Sequence, residues 1–358
     1  MKAQKQHIIA GPCSAESPEQ LLASCKPLAD NGQVSMIRAG IWKPRTRPDS
    51  FEGMGKQALP WLKEVGIEIG LPVCTEVANP QHVEEALTAN IDVLWVGART
   101  TANPFSVQSI ADALQGVNIP VMVKNPINPD INLWIGAIER LQQVGLSEIS
   151  AIHRGFSYYG QCEYRNKPMW ELPIALKTWF PSMPLLCDPS HICGRRDLIL
   201  DITQRSIDVG FDGIMIEVHE NPDVALSDAK QQLTPDAFHE ILNSLIIRKG
   251  DLSDPVIADQ LLILRSKIDD IDDEIIRLIG SRMDVAEEIG CYKRDNDISV
   301  LQLKRWKEIK STRNELADKL NLNSSFMDKF LEQIHKESIR KQTDILNNKN
   351  TTRNGVFW

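Results

Sequence analysis

The chain has no excess of basic residues, no long apolar run and no paired-cysteine motif, and each absence removes a class of function. Its 40 Lys and Arg against 48 Asp and Glu leave a net charge of -8 and a pI near 5.5. Generic nucleic-acid binding leans instead on a basic face, so no nucleic-acid partner is expected. No stretch approaches the ~18 apolar residues of a membrane span, and no membrane partner is expected. The opening MKAQKQHIIAGPC reaches Gly-Pro too soon to read as a secretory signal. The 7 cysteines are odd in number and include no C-x-x-C pair, which points to reduced thiols in a cytoplasm. Cys25, Cys74, Cys162, Cys187, Cys193 and Cys291 read as packing residues or neutral thiols. Neither G-x-G-x-x-G nor G-x-x-x-x-G-K-S/T occurs, which argues against Rossmann dinucleotide enzymes and P-loop ATPases.

What is present describes a soluble globular protein: 42% hydrophobic and 25% charged residues over 358 positions. That length fits one large domain and a small one. Up to about residue 245, short apolar runs alternate with amphipathic stretches. The expected strands are His7–Ala10, Ser35–Ile41, Leu71–Thr75, Val93–Gly97, Val121–Lys124, Ile149–His153, Leu185–Cys187 and Gly213–Val218. Expected helices between them include Pro18–Asn31, Pro80–Asn90, Ser106–Gln115, Ile131–Val144 and Arg195–Val209. Eight strands with intervening helices in about 250 residues point to an α/β fold, a (β/α)8 TIM barrel. An open doubly wound sheet remains the alternative, because periodicity does not prove closure.

A barrel demands that its chemistry gather at the C-terminal ends of the strands. Asp188-Pro-Ser-His191, Glu217-Val-His219 and Ala225-Leu-Ser-Asp228 each follow or close an apolar run, and Cys13 follows the first strand. An imidazole, two carboxylates and a thiol are hard-to-soft donors that a divalent metal selects. Taken singly, each is equally a turn residue capping the next helix. Arg38, Lys43, Arg45, Thr46, Glu76, Arg99, Lys124 and Arg154 occupy the ends of other strands. A cation there is costly unless an anion meets it, and Arg pairs with phosphate or carboxylate bidentately. The residues alone therefore suggest a metal-dependent enzyme acting on small, phosphorylated polyanions.

Gly11-Pro-Cys13-Ser14, Arg38-Ala-Gly40, Lys43-Pro-Arg45-Thr46, Gly97-Ala-Arg99, Asp188-Pro-Ser-His191 and Glu217-Val-His219 resemble 3-deoxy-D-arabino-heptulosonate 7-phosphate (DAHP) synthase. The resemblance covers residues 5 to 245 and is nearest to the compact subgroup related to Kdo8P synthase. Lys-Pro-Arg-Thr discriminates, because Kdo8P synthases differ there. The resemblance implies an aldol-like condensation of phosphoenolpyruvate (PEP) with erythrose 4-phosphate. It implies a divalent ion (Mn, Fe, Co or Zn) held by Cys13, His191, Glu217 and Asp228. Arg99 and Arg154 would bind the PEP phosphate, and Arg38 and Lys124 would lie near its carboxylate. Lys43 would lie between the substrates, and Arg45 and Thr46 would hold the sugar phosphate. Two neighbours depart from the family pattern. Asn125-Pro126 follows Lys124 where relatives commonly have Arg-Gly, and His153 precedes Arg154 where they often have Glu.

Beyond a polar stretch, Arg248 to Pro255, Gly and Pro become rare and the pattern turns helical. Leu261, Leu264, Ile268, Ile271, Ile275, Leu278 and Ile279 recur at helical spacing. Further helices are expected over Gln302–Leu316 and Ser325–Gln342. Three helices without a core of their own call for helices of another chain, and periodicity alone favours a dimerisation appendage. The run Leu264-Arg265-Ser-Lys-Ile-Asp269-Asp-Ile-Asp272, with Arg282, Lys293, Arg305, Ser338 and Gln342, resembles the all-helical chorismate mutases. It implies that these cations, Ser338 and Gln342 surround chorismate, with Arg265 supplied by a neighbouring protomer.

The organisation expected is a synthase barrel over 1–249, a linker over 250–259, a mutase domain over 260–342 and a polar, disordered tail over 343–358. A barrel starting this early leaves no room for an N-terminal regulatory domain, so the helical domain is expected to carry any feedback control, with prephenate as effector. The alternatives are a catalytically silent helical module, and Kdo8P synthesis in the barrel.

Overall fold

A computed structural model describes residues 7–30, 32–44, 50–247 and 255–347. The chain divides into two compact units, Met1–Gly250 and Asp251–Trp358. In the first, eight parallel strands close into a barrel in sequence order. They are β1 His7–Gly11, β2 Met36–Arg38, β3 Val73–Val77, β4 Val93–Val96, β5 Val121–Lys124, β6 Ile149–His153, β7 Leu185–Cys187 and β8 Gly213–Glu217. The helices are α1 Pro18–Asp30, α2 Ala58–Ile69, α3 Pro80–Thr88, α4 Ala98–Thr101, α5 Pro104–Ala113, α6 Ile131–Gln143, α7 Glu171–Trp179, α8 Pro189–Cys193, α9 Ile199–Val209 and α10 Pro235–Ser244. Closure through the β1–β8 pair, His7 opposite Gly213 to Gly11 opposite Glu217, excludes the open sheet.

Several helices start by one local device. Asn79, Asn103 and Asp188 accept backbone N–H groups of the first turn, and each precedes a proline. The side chain satisfies orphan donors, and the proline lacks the N–H that would otherwise be unpaired. The sequence reading did not single out α2 and α7. Pro60 and Pro173 lie within them, but in the first turn, where proline does no harm. The expected second strand shortens to Met36–Arg38. Beyond it the Gly40 N–H bonds to Cys13 O and the Thr75 hydroxyl to Ala39 O, outside the strand ladder.

Strand periodicity of two sets what meets inside the barrel. Ile9, Cys74, Val93, Trp95, Met122, Ile152, Leu186 and Met215 form a separate buried cluster, with Met36 packed against it. The second, larger cluster lies between strands and helices, with Leu94, Val96, Val121, Val123 and Ile214 on its strand side. Two residues beyond Met36, Cys74, Met122, Ile152, Leu186 and Met215 stand Arg38, Glu76, Lys124, Arg154, Asp188 and Glu217. The polar layer thus follows the same inward register as the apolar plug.

In the second unit α11 Pro255–Asp295, α12 Leu303–Lys319 and α13 Ser324–Asn347 are helical. Two expectations are corrected here. Residues 255–259, read as linker, already belong to α11. Residues 343–347, read as tail, complete the last turn of α13. Residues 250–254 and 348–358 lie outside the described residues. Gly290 lets α13 come close: a Cβ there would lie 3.1 Å from Ile345 Cδ1 and 3.2 Å from Gln342 Cα.

Candidate active sites

At the C-terminal end of the barrel, Cys13, Glu217 and Asp228 place ligand atoms within 4.8 Å of one another. Cys13 Sγ is 3.6 Å from Asp228 Oδ2. His191 adjoins them, its Nε2 3.7 Å from Glu217 Oε1 and 3.9 Å from Asp228 Oδ2. The structure therefore gathers all four expected ligands. Thiol, imidazole and carboxylates together fit a first-row divalent ion better than magnesium or calcium, which select oxygen donors. Burial, with Glu217 adding to it, pushes the Cys13 thiol up to about 12. Ligation would have to displace that proton. Asp228 sits at φ 47, a left-handed conformation that a non-glycine residue keeps only when its surroundings impose it.

Asp188 does more than cap α8. Its carboxylate accepts from His191 Nδ1 at 3.0 Å and from Lys124 Nζ at 2.6 Å. With Nδ1 engaged, Nε2 is the nitrogen facing Glu217 and Asp228, the usual way a second carboxylate orients an imidazole ligand. Burial alone would raise the Asp188 carboxyl, but His191 and Lys124 hold it well below the usual range. Burial keeps His191 below its ordinary value despite both carboxylates. Glu217 is fully buried; burial opposes its charge, yet His191 and Arg38 keep its carboxyl below the ordinary value. Arg38 Nη2 lies 3.3 Å from Glu217 Oε1.

The cations form a second layer. Arg38 and Lys124 stand over the Trp95 ring at 5.0 and 5.7 Å. Trp95 Nε1 donates to Glu76 Oε2 at 3.0 Å. Gly97 leaves room for that carboxylate: a Cβ there would lie 2.0 Å from Glu76 Oε1 and displace it. Lys43 Nζ donates to Cys13 O at 2.6 Å. Arg154 is buried; burial, then Arg165 and Arg99, lower its guanidinium to about 10. Arg38 Nε and Nη1 and Arg154 Nη1 are buried without a hydrogen-bond acceptor among the described residues. Buried donors of this kind await an anion. Arg99 is exposed on α4, and Arg45 and Thr46 lie outside the described residues.

Sequence reasoning missed the supporting amides. Gln231 Nε2 donates to Glu217 Oε2 at 2.6 Å and to Asp228 Oδ2 at 3.3 Å. Gln232 Oε1 accepts the Cys13 N–H at 2.9 Å. Asn125, noted only as a departure, accepts the Arg154 N–H at 2.7 Å and donates to Gly155 O. His153 is buried within ring distance of Trp134, Phe156, Trp170 and Phe211. Burial, with Arg154 beside it, lowers its imidazole to about 3, so it is neutral. His219 turns away from the ligand cluster, with Nε2 3.7 Å from Glu16 Oε2. A cavity of about 480 Å³ at the opposite end of the barrel, lined by residues such as Ile9, Met36, Met122 and Leu186, meets none of these groups.

In the helical unit Arg282 Nη1 donates to Ser338 Oγ at 2.5 Å, and Lys293 Nζ to Gln342 Oε1 at 3.0 Å. Burial lowers both cations from their usual values. Lys293 also lines a cleft of about 460 Å³ with Ile289, Tyr292, Ile298 and Gln302. Four expected residues therefore meet. Arg305 does not join them: its side chain is 63% exposed and pairs with Glu308. Arg265 is exposed on α11.

Asp188→Asn removes the charge that orients His191 while keeping its shape. Divalent-metal affinity, read by titration with a competing chelator, is expected to fall about 10- to 100-fold.

Comparisons with known proteins bear on both units. The family model described as "DAHP synthetase I family" matches residues 2–249, and that described as "Chorismate mutase type II" matches residues 264–343. A phospho-2-dehydro-3-deoxyheptonate aldolase of Thermotoga maritima is 34% identical over 238 residues, spanning 66% of this chain and 68% of that protein. A 2-dehydro-3-deoxyphosphooctonate aldolase of Bradyrhizobium is 25% identical over 272 residues, spanning 70% of this chain and 91% of that protein. The crystal structure of a DAHP synthase from Thermotoga maritima superposes with a TM-score of 0.59 at 32% identity, covering 66% of this chain and 67% of that one. With a family model spanning the barrel and a second spanning the helices, the chain belongs to the DAHP synthetase I family and continues into a chorismate mutase of type II, a bifunctional enzyme of the shikimate pathway.

Proposed function

We propose that the barrel, residues 1–249, condenses PEP with erythrose 4-phosphate and water to give DAHP and phosphate. Residues 260–342 rearrange chorismate to prephenate. The observation that carries the first reading is the meeting of four ligand side chains with buried, under-satisfied cations on one barrel face. Arg99 and Arg154 take the PEP phosphate, and Arg38 and Lys124 its carboxylate. Lys43 lies between the substrates, and Arg45 and Thr46 hold the sugar phosphate. These cations hold two mutually repelling anions in register, with PEP C3 beside the aldehyde carbon. Cys13, His191, Glu217 and Asp228 hold a divalent ion (Mn, Fe, Co or Zn), with Gln231 and Asp188 fixing the ligand orientations. When bound, the ion supplies Lewis acidity towards the aldehyde oxygen, where negative charge develops.

In the helical unit the rearrangement is pericyclic and needs no covalent catalyst. Arg282, Arg305 and Ser338 hold the carboxylates of chorismate, and Lys293 and Gln342 favour the breaking ether oxygen. Ile263, Leu264, Ile268, Ile271, Ile275 and Leu278 are each at least 42% exposed along α11. An apolar stripe of that length fits a second copy of this unit, which supplies Arg265. The helical unit also restrains the synthase when prephenate binds. The enzyme works in the cytoplasm; no described helix is long and apolar enough to cross a membrane.

On metal-loaded protein, PEP consumption is expected with erythrose 4-phosphate, not with arabinose 5-phosphate, and EDTA should stop it while chorismate loss continues. Preference for the pentose phosphate would instead make the barrel a Kdo8P synthase. Arg282→Ala should lower mutase kcat/KM about 10²- to 10³-fold with the dimer intact by light scattering. Unchanged mutase turnover would remove Arg282 from the site, and a monomeric wild type would refute the dimer. Truncation after Lys249 should leave a synthase insensitive to prephenate; a truncated enzyme still inhibited would place the control in the barrel.

A further inference from the structure

Arg165 belongs to neither motif set, yet it connects the two charged layers of the barrel face. The backbone after β6 runs beside α8: Arg165 N–H bonds to Cys193 O at 3.2 Å and Asn166 N–H to Ile192 O at 3.0 Å. Asn166 Nδ2 donates to His191 O at 2.6 Å. The Arg165 stem lies across Gly194, where a Cβ would come within 2.5 Å of it. Only glycine leaves that path open, and its φ of 69 favours glycine as well. At the end of this path Nη1 donates to Asp228 Oδ1 at 3.2 Å and to Gln231 Oε1 at 2.7 Å. Gln231 in turn bonds both Glu217 and Asp228. One arginine therefore holds the carboxylate cluster from outside, while its charge is felt by Arg154.

A guanidinium offers five N–H donors in a fixed fork, and this one is 44% exposed. Its charge is paired with Asp228. Were Asp228 to hold a divalent ion, its negative charge would be taken up by that ion and the guanidinium repelled. Arg154 feels the charges of both Arg165 and Arg99, and a phosphate dianion bound beside Arg154 would draw all three. We propose that Arg165 is a positioning residue shared between the ligand cluster and the phosphate cations, released from Asp228 by the ion and taken up by the PEP phosphate. Ion and PEP then bind cooperatively, and by linkage the effect is reciprocal. This rests on the barrel being a PEP-binding synthase.

The test is calorimetric titration of full-length protein with PEP, in chelator and in saturating Mn²⁺, with Mn²⁺ affinity measured separately. Wild type is expected to bind PEP at least about 5-fold more tightly with the ion. Arg165→Gln should keep Mn²⁺ binding and a normal thermal melt, but the ratio of the two PEP affinities should fall to near one. Arg165→Lys, which keeps the charge but not the fork, should retain part of the ratio. An unchanged ratio in Arg165→Gln, or no ion effect in wild type, overturns the proposal. Loss of Mn²⁺ binding in Arg165→Gln overturns it too, since Arg165 would then merely hold Asp228 in place. Failure of wild type to bind PEP under either condition would instead bring down the synthase reading itself.

Discussion

Charge buried at the open end of an apolar barrel has to be neutralised where it stands, and that requirement organises the whole catalytic face. Asp188 and Glu217 are fully buried, in surroundings where an unpaired carboxylate would be protonated. Asp188 keeps its charge because Lys124 and His191 flank it, and Glu217 because His191 and Arg38 do. Losing one member of such a pair costs about 3–5 kcal/mol through the charge left behind. The pairs therefore fix one another: Asp188 aims His191, His191 and Arg38 hold Glu217, and Gln231 ties Glu217 to Asp228. Trp95 supplies the floor, an aromatic face beneath both cations.

The neutral neighbours of Arg154 fit the same logic. Asn125 and His153 adjoin the strand-end cations Lys124 and Arg154. Asn125 fixes the Arg154 backbone, and His153 is an uncharged ring among aromatic ones.

The helical unit solves a different problem. Its cations stand on long helices with little apolar cover, so α13 must come close to α11, and Gly290 makes that approach tight. Ser338 and Gln342, one turn apart, then face Arg282 and Lys293, which are separated by three turns on α11. The wide apolar stripe left exposed on α11 is the feature a single copy of the unit does not resolve.

Much of this was written in the sequence because it depends on local rules. All eight strands appear where apolar runs announced them. Asn-Pro and Asp-Pro pairs mark helix starts by capping chemistry confined to one turn. Cys13, His191 and Glu217 follow or end strands, and parallel closure carries strand ends to one face; Asp228 reaches them from the stretch between β8 and α10. Tertiary structure decided what depends on distance through space. It closed the barrel, made Asp188 the partner of both Lys124 and His191, and brought Gln231 and Arg165 to the carboxylates. It also left Arg305 and Arg265 exposed, apart from the Arg282–Ser338 and Lys293–Gln342 pairs. The reason is physical: periodicity fixes which way a side chain points from its own strand or helix. Which charge it meets is set by the register and curvature of the closed sheet, and by how closely two helices can approach.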